Sequence, residues 1–299
     1  MEYLKLPDLK SLATLVAVVE HGGVNEAARR LYVGQPAVTK RLRALDSTFG
    51  IKLMQRHGQR LELTAAGRKV YDFARLVLLH HRTLQDDLSS LREGRNQLRL
   101  EVNSAIGEHL LPNLLLRFSE AYPQFRIHSR MAYSRQIQTH LATGLADLAL
   151  LEMAPDHPDI LVQKWLDDEL LLVCGEHHPL RHAGLIPLTD LHKLKYVLRE
   201  PTSSMRLELD KALADVGIHD IPLVMEVGST DTIIEILAAG RYVSFLPRFA
   251  VAESLADESL FRIKVEGLRI KRTLWIARTR SNLDNEVAEA FVQLLLQGR

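Results

Sequence analysis

From Asp8 onward the apolar positions fall on a helical period. Leu12, Leu15, Val16 and Val19 share one face of a 3.6-residue repeat, and His21-Gly22-Gly23 ends the run with glycine where a helix C-cap belongs. A second short helix is predicted from Asn25, read as its N-cap, to about Tyr32, with Ala27, Ala28 and Leu31 inward. A third is predicted from Pro36 to about Phe49, because proline at the first helical position lacks an N–H that would have no partner there. Val38, Leu42 and Leu45 face inward at i, i+4 and i+7, while Pro36, Thr39, Lys40 and Arg43 share a different face. Residues 53–56 and 60–63 then flank His57-Gly58-Gln59, which predicts a hairpin.

Residues 65–93 contain no proline, and Gly67 is their one glycine before the break at Gly94. Val70, Ala74, Val77, His81, Leu84, Leu88 and Leu91 follow spacings of four and three, a heptad seam that predicts a coiled coil. Gly94-Arg95-Asn96-Gln97 reads as a hinge. From Leu98 the period changes. Leu98, Leu100 and Val102 alternate, and a helix follows through Leu110, Leu114 and Phe118. Next come a strand near 125–129, a helix around Ile137 and Leu141, and the buried run 148–151. Further strands are expected at 170–174, 196–198, 224–227, 243–246, 260–264 and 272–277, with helices at 204–216, 231–239 and 284–297. Such alternation predicts an α/β body with a parallel sheet.

Charge changes this picture. Residues 1–70 carry a balance of +6, residues 71–95 of 0, and residues 96–299 of −5. A basic head on a slightly acidic body points to a polyanion-binding module joined to something else. The third helix offers groups that suit base edges and phosphates in a major groove, with Thr39, Lys40 and Arg43 on one face and Gln35 at its entrance. Arg56 and Arg60 of the hairpin would sit near phosphates.

The 299 residues suggest two domains, and 46% hydrophobic with 25% charged residues excludes a largely disordered chain. The single cysteine, Cys174, excludes an intrachain disulfide and a cysteine-based zinc site, and its apolar strand makes it a core residue. The N-terminus does not read as a signal peptide, and no run approaches the roughly 18–20 apolar residues of a membrane span, so a cytoplasmic protein is expected. Nucleophile elbows, phosphate loops, dinucleotide fingerprints and zinc-protease motifs are absent, so neither enzyme activity nor a cofactor is expected. Glu176-His177-His178 with His182 is a poor chelating arrangement, and no metal site is expected.

Residues 8–67 resemble the winged helix-turn-helix of LysR-type transcriptional regulators. The resemblance runs through Ala27-Ala28-x-x-Leu31-x-x-x-Gln35-Pro36-Ala37-Val38-Thr39, then Leu45, Phe49-Gly50, Leu53, Arg56 and Leu63-Thr64-x-x-Gly67. It implies DNA contact by Gln35, Pro36, Thr39, Lys40 and Arg43, with Arg56 supporting the wing. The chain departs from the pattern at Gly22-Gly23-Val24, where Gly-Ser-Phe is usual, and at Gly34, Asp46 and Met54, where Ser, Glu and Phe are usual. Each serine-to-glycine change could remove one backbone phosphate contact. The body resembles the same family's effector domain at Leu110-Leu111-Pro112, Phe118 with Tyr122-Pro123, Leu141 with Gly144, Asp147-Leu148-Ala149 and His178-Pro179-Leu180.

The resemblance implies a winged helix-turn-helix at 1–64, a dimerising linker helix at 65–93, a hinge at 94–97 and an effector-binding domain at 98–299. That domain would be similar to periplasmic binding proteins, with lobe I at about 98–165 and 271–299 and lobe II at about 166–270. Hydroxyl residues at strand-to-helix junctions, Ser104, Ser134, Thr202, Ser203 and Thr230, could each be a plain N-cap. That they line one inter-lobe cleft and bind a small-molecule effector is what the resemblance implies, and helix starts favour an anion there. Arg135 and Arg199 could add positive charge or could form ion pairs. The implied partners are double-stranded promoter DNA, the effector, a second copy of the chain in a dimer or tetramer, and RNA polymerase. The body alone would also suit a solute-binding protein, a reading that leaves the basic head unexplained.

Overall fold

The computed structural model describes residues 6–57, 60–93 and 96–297, in two compact units divided between Arg92 and Glu93. The first unit begins with helices α1 (Leu9–Glu20), α2 (Val24–Arg30) and α3 (Gln35–Phe49). The hairpin β1 (Met54–His57) and β2 (Arg60–Leu63) and the long helix α4 (Ala65–Glu93) complete it. Asp8 caps α1 by accepting the Ser11 N–H at 2.9 Å. Val38, Leu42 and Leu45 face inward as expected, with Leu42 between two apolar clusters.

The second helix starts one residue earlier than its sequence suggested. Gly23, not Asn25, is the N-cap, and its φ of +149° is one that side chains other than glycine's rarely allow. Asn25 lies inside α2, where its side-chain oxygen accepts from the Gln35 amide. The third helix begins at Gln35, so Pro36 is its second residue.

The Leu63-Thr64-x-x-Gly67 motif joins the wing to α4. Thr64 Oγ1 donates to the Lys52 carbonyl at 2.8 Å and accepts the Gly67 N–H at 2.9 Å. A Cβ on Gly67 would lie 1.8 Å from the Leu53 carbonyl oxygen, so the helix start packs on the chain entering the wing as closely as glycine permits.

Part of the predicted seam is satisfied within the chain. Val70 and Ala74 are buried in the head's own core, with Val77 packed against it. Leu84 and Leu88 are exposed, and so are Phe73 and Leu76, which the heptad reading had not selected. His81 is exposed, and the Leu91 side chain falls outside the described residues.

Of the expected hinge, Gly94 and Arg95 lie outside the described residues, and Gln97 already belongs to β3 (Gln97–Val102). The body continues with α5 (Ser104–His109), α6 (Leu111–Ala121), β4 (Arg126–Met131), α7 (Ser134–Ala142) and β5 (Leu148–Leu151). The helix expected through Leu110 is therefore two helices that meet at that residue. The chain then forms β6 (Ile160–Gly175), β7 (Leu185–Ile186), β8 (Tyr196–Leu198), α8 (Ser204–Asp215), β9 (Leu223–Glu226) and α9 (Thr230–Ala239). It ends with β10 (Val243–Pro247), α10 (Arg248–Ala256), β11 (Leu260–Val265), β12 (Ile270–Thr279) and α11 (Glu286–Gln297).

Among the described residues the body's strands form one ten-stranded sheet, in the order β4-β3-β5-β12-β6-β10-β8-β9, with β11 beside β6 and β7 beside β11. Parallel pairs β3–β4 and β3–β5 build one lobe, and parallel pairs β8–β9 and β8–β10 build the other. The antiparallel strands β6 and β12 run through both. Their register shifts between Leu274 and Trp275, which leaves Trp165 without a partner across the ladder. Trp165 and Leu274 pack in the lobe I core, and Leu170 and Ile270 in the lobe II core. A further cluster in lobe I joins Ile137 and Leu141 of α7 to Ile160 of β6 and Ala277 of β12, so the cores of both lobes rest on the two shared strands. No described helix is long and apolar enough to cross a membrane.

Replacing Gly67 with alanine tests the wing junction. Helix propensity alone would stabilise the variant by about 1 kcal/mol. The clash with the Leu53 carbonyl should win, lowering the head's stability in a denaturant titration by about 1–3 kcal/mol.

Candidate functional site

Gln35, Pro36, Thr39, Lys40 and Arg43 all come from the start of α3 and line one open depression of about 410 Å³. Four of them are exposed and Thr39 is half-buried, because Val38, Leu42 and Leu45 take the opposite face into the core. The Gln35 amide nitrogen donates to Asn25 Oδ1, which fixes how that amide is presented. Arg56 lies in β1 opposite Leu61, and its side chain and that of Arg60 fall outside the described residues.

In the body, three of the expected hydroxyls, Ser104, Ser134 and Thr230, meet Asn103, Ser204 and Arg199. Buried Asn103, just beyond β3, accepts from Ser134 Oγ at 3.1 Å and from the Glu152 N–H at 2.9 Å. Ser134, the first residue of α7 in lobe I, lies 2.6 Å, oxygen to oxygen, from Ser204 at the start of α8 in lobe II. Arg199, 3% exposed, follows β8 and reaches both lobes. Its Nη1 donates to Ser104 Oγ at 2.9 Å and to Thr230 Oγ1 at 3.3 Å. Its other nitrogens form a two-pronged pair with Glu200, both bonds 2.9 Å. Ser203 is buried at the N-cap position of α8, while Thr202 is exposed. Arg135 is an exposed residue of α7.

Beside this row, Ser229 caps α9 through the Thr232 N–H and donates to Glu108 Oε1 at 3.3 Å. His109 Nε2 stands 3.3 Å from Asp231 Oδ1 and 4.0 Å from Glu108 Oε2. This small cluster joins the two lobes and is not visible in the sequence. The histidine-rich loop is structural: His178 is buried and its Nδ1 accepts the Leu180 N–H at 3.1 Å. Burial also pushes the Cys174 thiol up to about 11, so it stays protonated near neutral pH.

Two family patterns match the chain. "Bacterial regulatory helix-turn-helix protein, lysR family" covers residues 9–68, and "LysR substrate binding domain" covers residues 91–299. The chain belongs to the LysR family. It is a LysR-type transcriptional regulator with an effector-binding domain.

Its similarity to other LysR proteins spans the whole length. A probable RuBisCO transcriptional regulator of Porphyra purpurea is 29% identical over 296 residues, 96% of this chain and 93% of that one. A protein of the same description from Cyanophora paradoxa is 28% identical over 99% of this chain and 94% of that one. Among solved structures, full-length CbnR complexed with its target DNA matches with a TM-score of 0.75 at 21% identity, over 98% of this chain and all of that one. The regulatory domain of CcmR from Synechocystis PCC6803, in complex with 2-PG, matches with a TM-score of 0.62 at 24% identity, over 68% of this chain and 96% of that one. At these identities the structural matches show a shared fold.

The LysR body holds a second buried polar group that sequence reading missed. Arg272 lies on β12 with 1% of its side chain exposed. It donates to Asp168 Oδ2 on β6 at 2.8 Å and to Glu208 Oε2 on α8 at 3.2 Å, and its Nη2 stands 3.7 Å from Glu152 Oε1 just after β5. The signal was present: Ile270, Arg272, Leu274 and Ile276 share the inward parity of one strand. Burial pushes the Glu208 carboxyl up to about 7, against the pull of Arg272, and burial raises the carboxyl of Glu152 as well.

A carboxyl that binds its proton more tightly when folded adds stability below its ordinary value of 4.5 and loses it as the pH rises to about 7. Wild-type unfolding free energy should therefore fall across that window, by about 1–3 kcal/mol from this group. Glu208→Gln should flatten the fall, a difference read from denaturant titrations at pH 5 and pH 8.

Proposed function

We propose that this LysR-type regulator reads promoter DNA through Gln35, Pro36, Thr39, Lys40 and Arg43 in a major groove, with Arg56 on the wing beside the phosphates. The grouping of five sequence-selected side chains around one depression on α3 carries the reading. Two cations, a hydroxyl and an amide there supply both phosphate and base-edge contacts. Two copies would pair through the exposed apolar positions of α4 and place two heads on two half-sites. Dimers can pair further into tetramers.

The division of labour follows the sequence: head 1–64, linker 65–93, hinge 94–97 and effector domain 98–299. A small molecule would bind the inter-lobe cleft among Ser104, Ser134, Thr202, Ser203 and Thr230. It acts by preferring one lobe arrangement and so one assembly geometry over another. The output is a change in promoter occupancy or in contact with RNA polymerase, without chemical turnover, in the cytoplasm.

An operator selected from random DNA allows the groove assignment to be measured. Lys40→Ala should weaken binding to every sequence about equally and lower the slope of log affinity against log salt by about 1. Arg43→Ala should in addition lose about 1–3 kcal/mol of discrimination at one base pair. Wild-type affinity and selectivity in both variants would overturn the assignment.

A further inference from the structure

The cleft contains positions suited to an anion, and the chain fills them itself. The guanidinium of Arg199 faces both lobes, yet two of its nitrogens are taken by the carboxylate of the next residue. The Tyr133 hydroxyl of lobe I stands close enough to Glu200 for that carboxylate to raise its pKa. Arg272, the other buried cation, carries Asp168, Glu208 and Glu152. Every one of these positive features has a resident carboxylate. The buried oxygens Glu108 Oε2 and Glu152 Oε1 make no hydrogen bond and face His109 Nε2 at 4.0 Å and Arg272 Nη2 at 3.7 Å, which make none either.

We propose that Glu200 is a specificity-determining residue of the effector cleft: it occupies the anion position on Arg199, so the wild-type cleft turns away small anions and takes neutral or cationic, donor-rich molecules. The proposal rests on the reading that effectors bind between the lobes. It refines the anion preference of the helix starts, since the guanidinium that joins Ser104 and Thr230 there already carries a carboxylate.

Competition is the physical reason. A ligand carboxylate or phosphate would have to displace a carboxylate attached one residue from the guanidinium, which a short tether holds at an effective concentration of about millimolar or more. It would also approach Arg199 past Glu152 and Glu108, whose charges act on the same guanidinium. An ammonium or hydroxyl group does not compete with Glu200 for the guanidinium. The side chains of Glu200 and Arg199 are 14% and 4% exposed, so water screens their pairing weakly.

The test is calorimetric titration of the full chain with inorganic phosphate and with malonate at constant ionic strength. The relevant signal is the part of the binding that Arg199→Gln abolishes, which separates the cleft from the basic head. Wild type should show no such part. Glu200→Gln should gain it, at an affinity at least about tenfold above the detection limit that bounds wild type. Glu200→Ala provides the same readout if the glutamine variant folds poorly, and equal melting points establish that each variant is folded.

Arg199-dependent anion binding of equal strength in wild type and both Glu200 variants would overturn the proposal. So would a gain that survives Arg199→Gln. Operator footprints with and without phosphate, taken on Glu200→Gln, keep the two ideas apart. A gained anion site that leaves the footprint unchanged supports the role of Glu200 and counts against the cleft as the place where effectors act.

Discussion

The guanidinium of Arg272 sits where the two lobes of the body share their strands, and the arrangement around it constrains the rest. Burying a charge costs several kcal/mol unless it is closely paired. Here the compensation comes from Asp168 on β6, Glu208 on α8 and Glu152 beyond β5, so the pairing joins both crossing strands and elements of each lobe. Burial, which Arg272 offsets only in part, is the physical content of the raised Glu208 and Glu152 carboxyls, and the neighbouring carboxylates add to it.

The same economy of self-satisfaction extends into the cleft. Ser134 meets Ser204, and Arg199 joins Ser104 to Thr230, so hydroxyls that could grip a ligand hold the lobes to each other instead. Opening the cleft leaves these groups to be satisfied by something else, at about 1–3 kcal/mol for each one left buried and unpaired. A ligand shifts the lobes to the extent that it repays those bonds better in one arrangement than in the other. Ser104, Ser134 and Thr230 thus serve as lobe-to-lobe contacts in this arrangement.

The head was legible in the sequence because its determinants are local. Helical period, a proline at the start of α3 and glycines at its ends placed three helices and the wing within a residue or two. The misplacement of Asn25 came from a rule that favours polar side chains as caps, where two glycines had already made the turn. In the body, apolar parity found most strands but not that residues 160–175 form one strand through both lobes, since that depends on pairing with a distant β12. The strand-to-helix step at Pro247 and Arg248 hid α10, whose helix has little difference between its faces. Several residues that carried the family resemblance turn out to be architectural. Asp147 forms a two-pronged pair with Arg99 and accepts its backbone N–H, and His178 closes the turn to Leu180. Arg272 was overlooked because the inward parity of its strand does not name partners that come from β6, α8 and the chain after β5.

Helix α4 shows why a regular seam need not belong to one interface. Val70 and Ala74 obey the heptad and are buried in their own head, fixing the helix on its first two turns. Further along, the head's core no longer reaches the helix, and Leu84 and Leu88 stand exposed. Phe73 and Leu76, on a neighbouring stripe, join them in water. Burying a side chain of this size is worth about 1.5–3 kcal/mol, so four of them on one helix make up a substantial unmet driving force. A second α4 offers the same spacing and the same row of apolar groups, which makes the symmetric pairing of two chains the simplest way to cover it. The proposed dimer would then start from Phe73 and Leu76, where the heptad count alone would have put Val70 and Ala74. That offset is the result of one helix serving both the head's core and a partner.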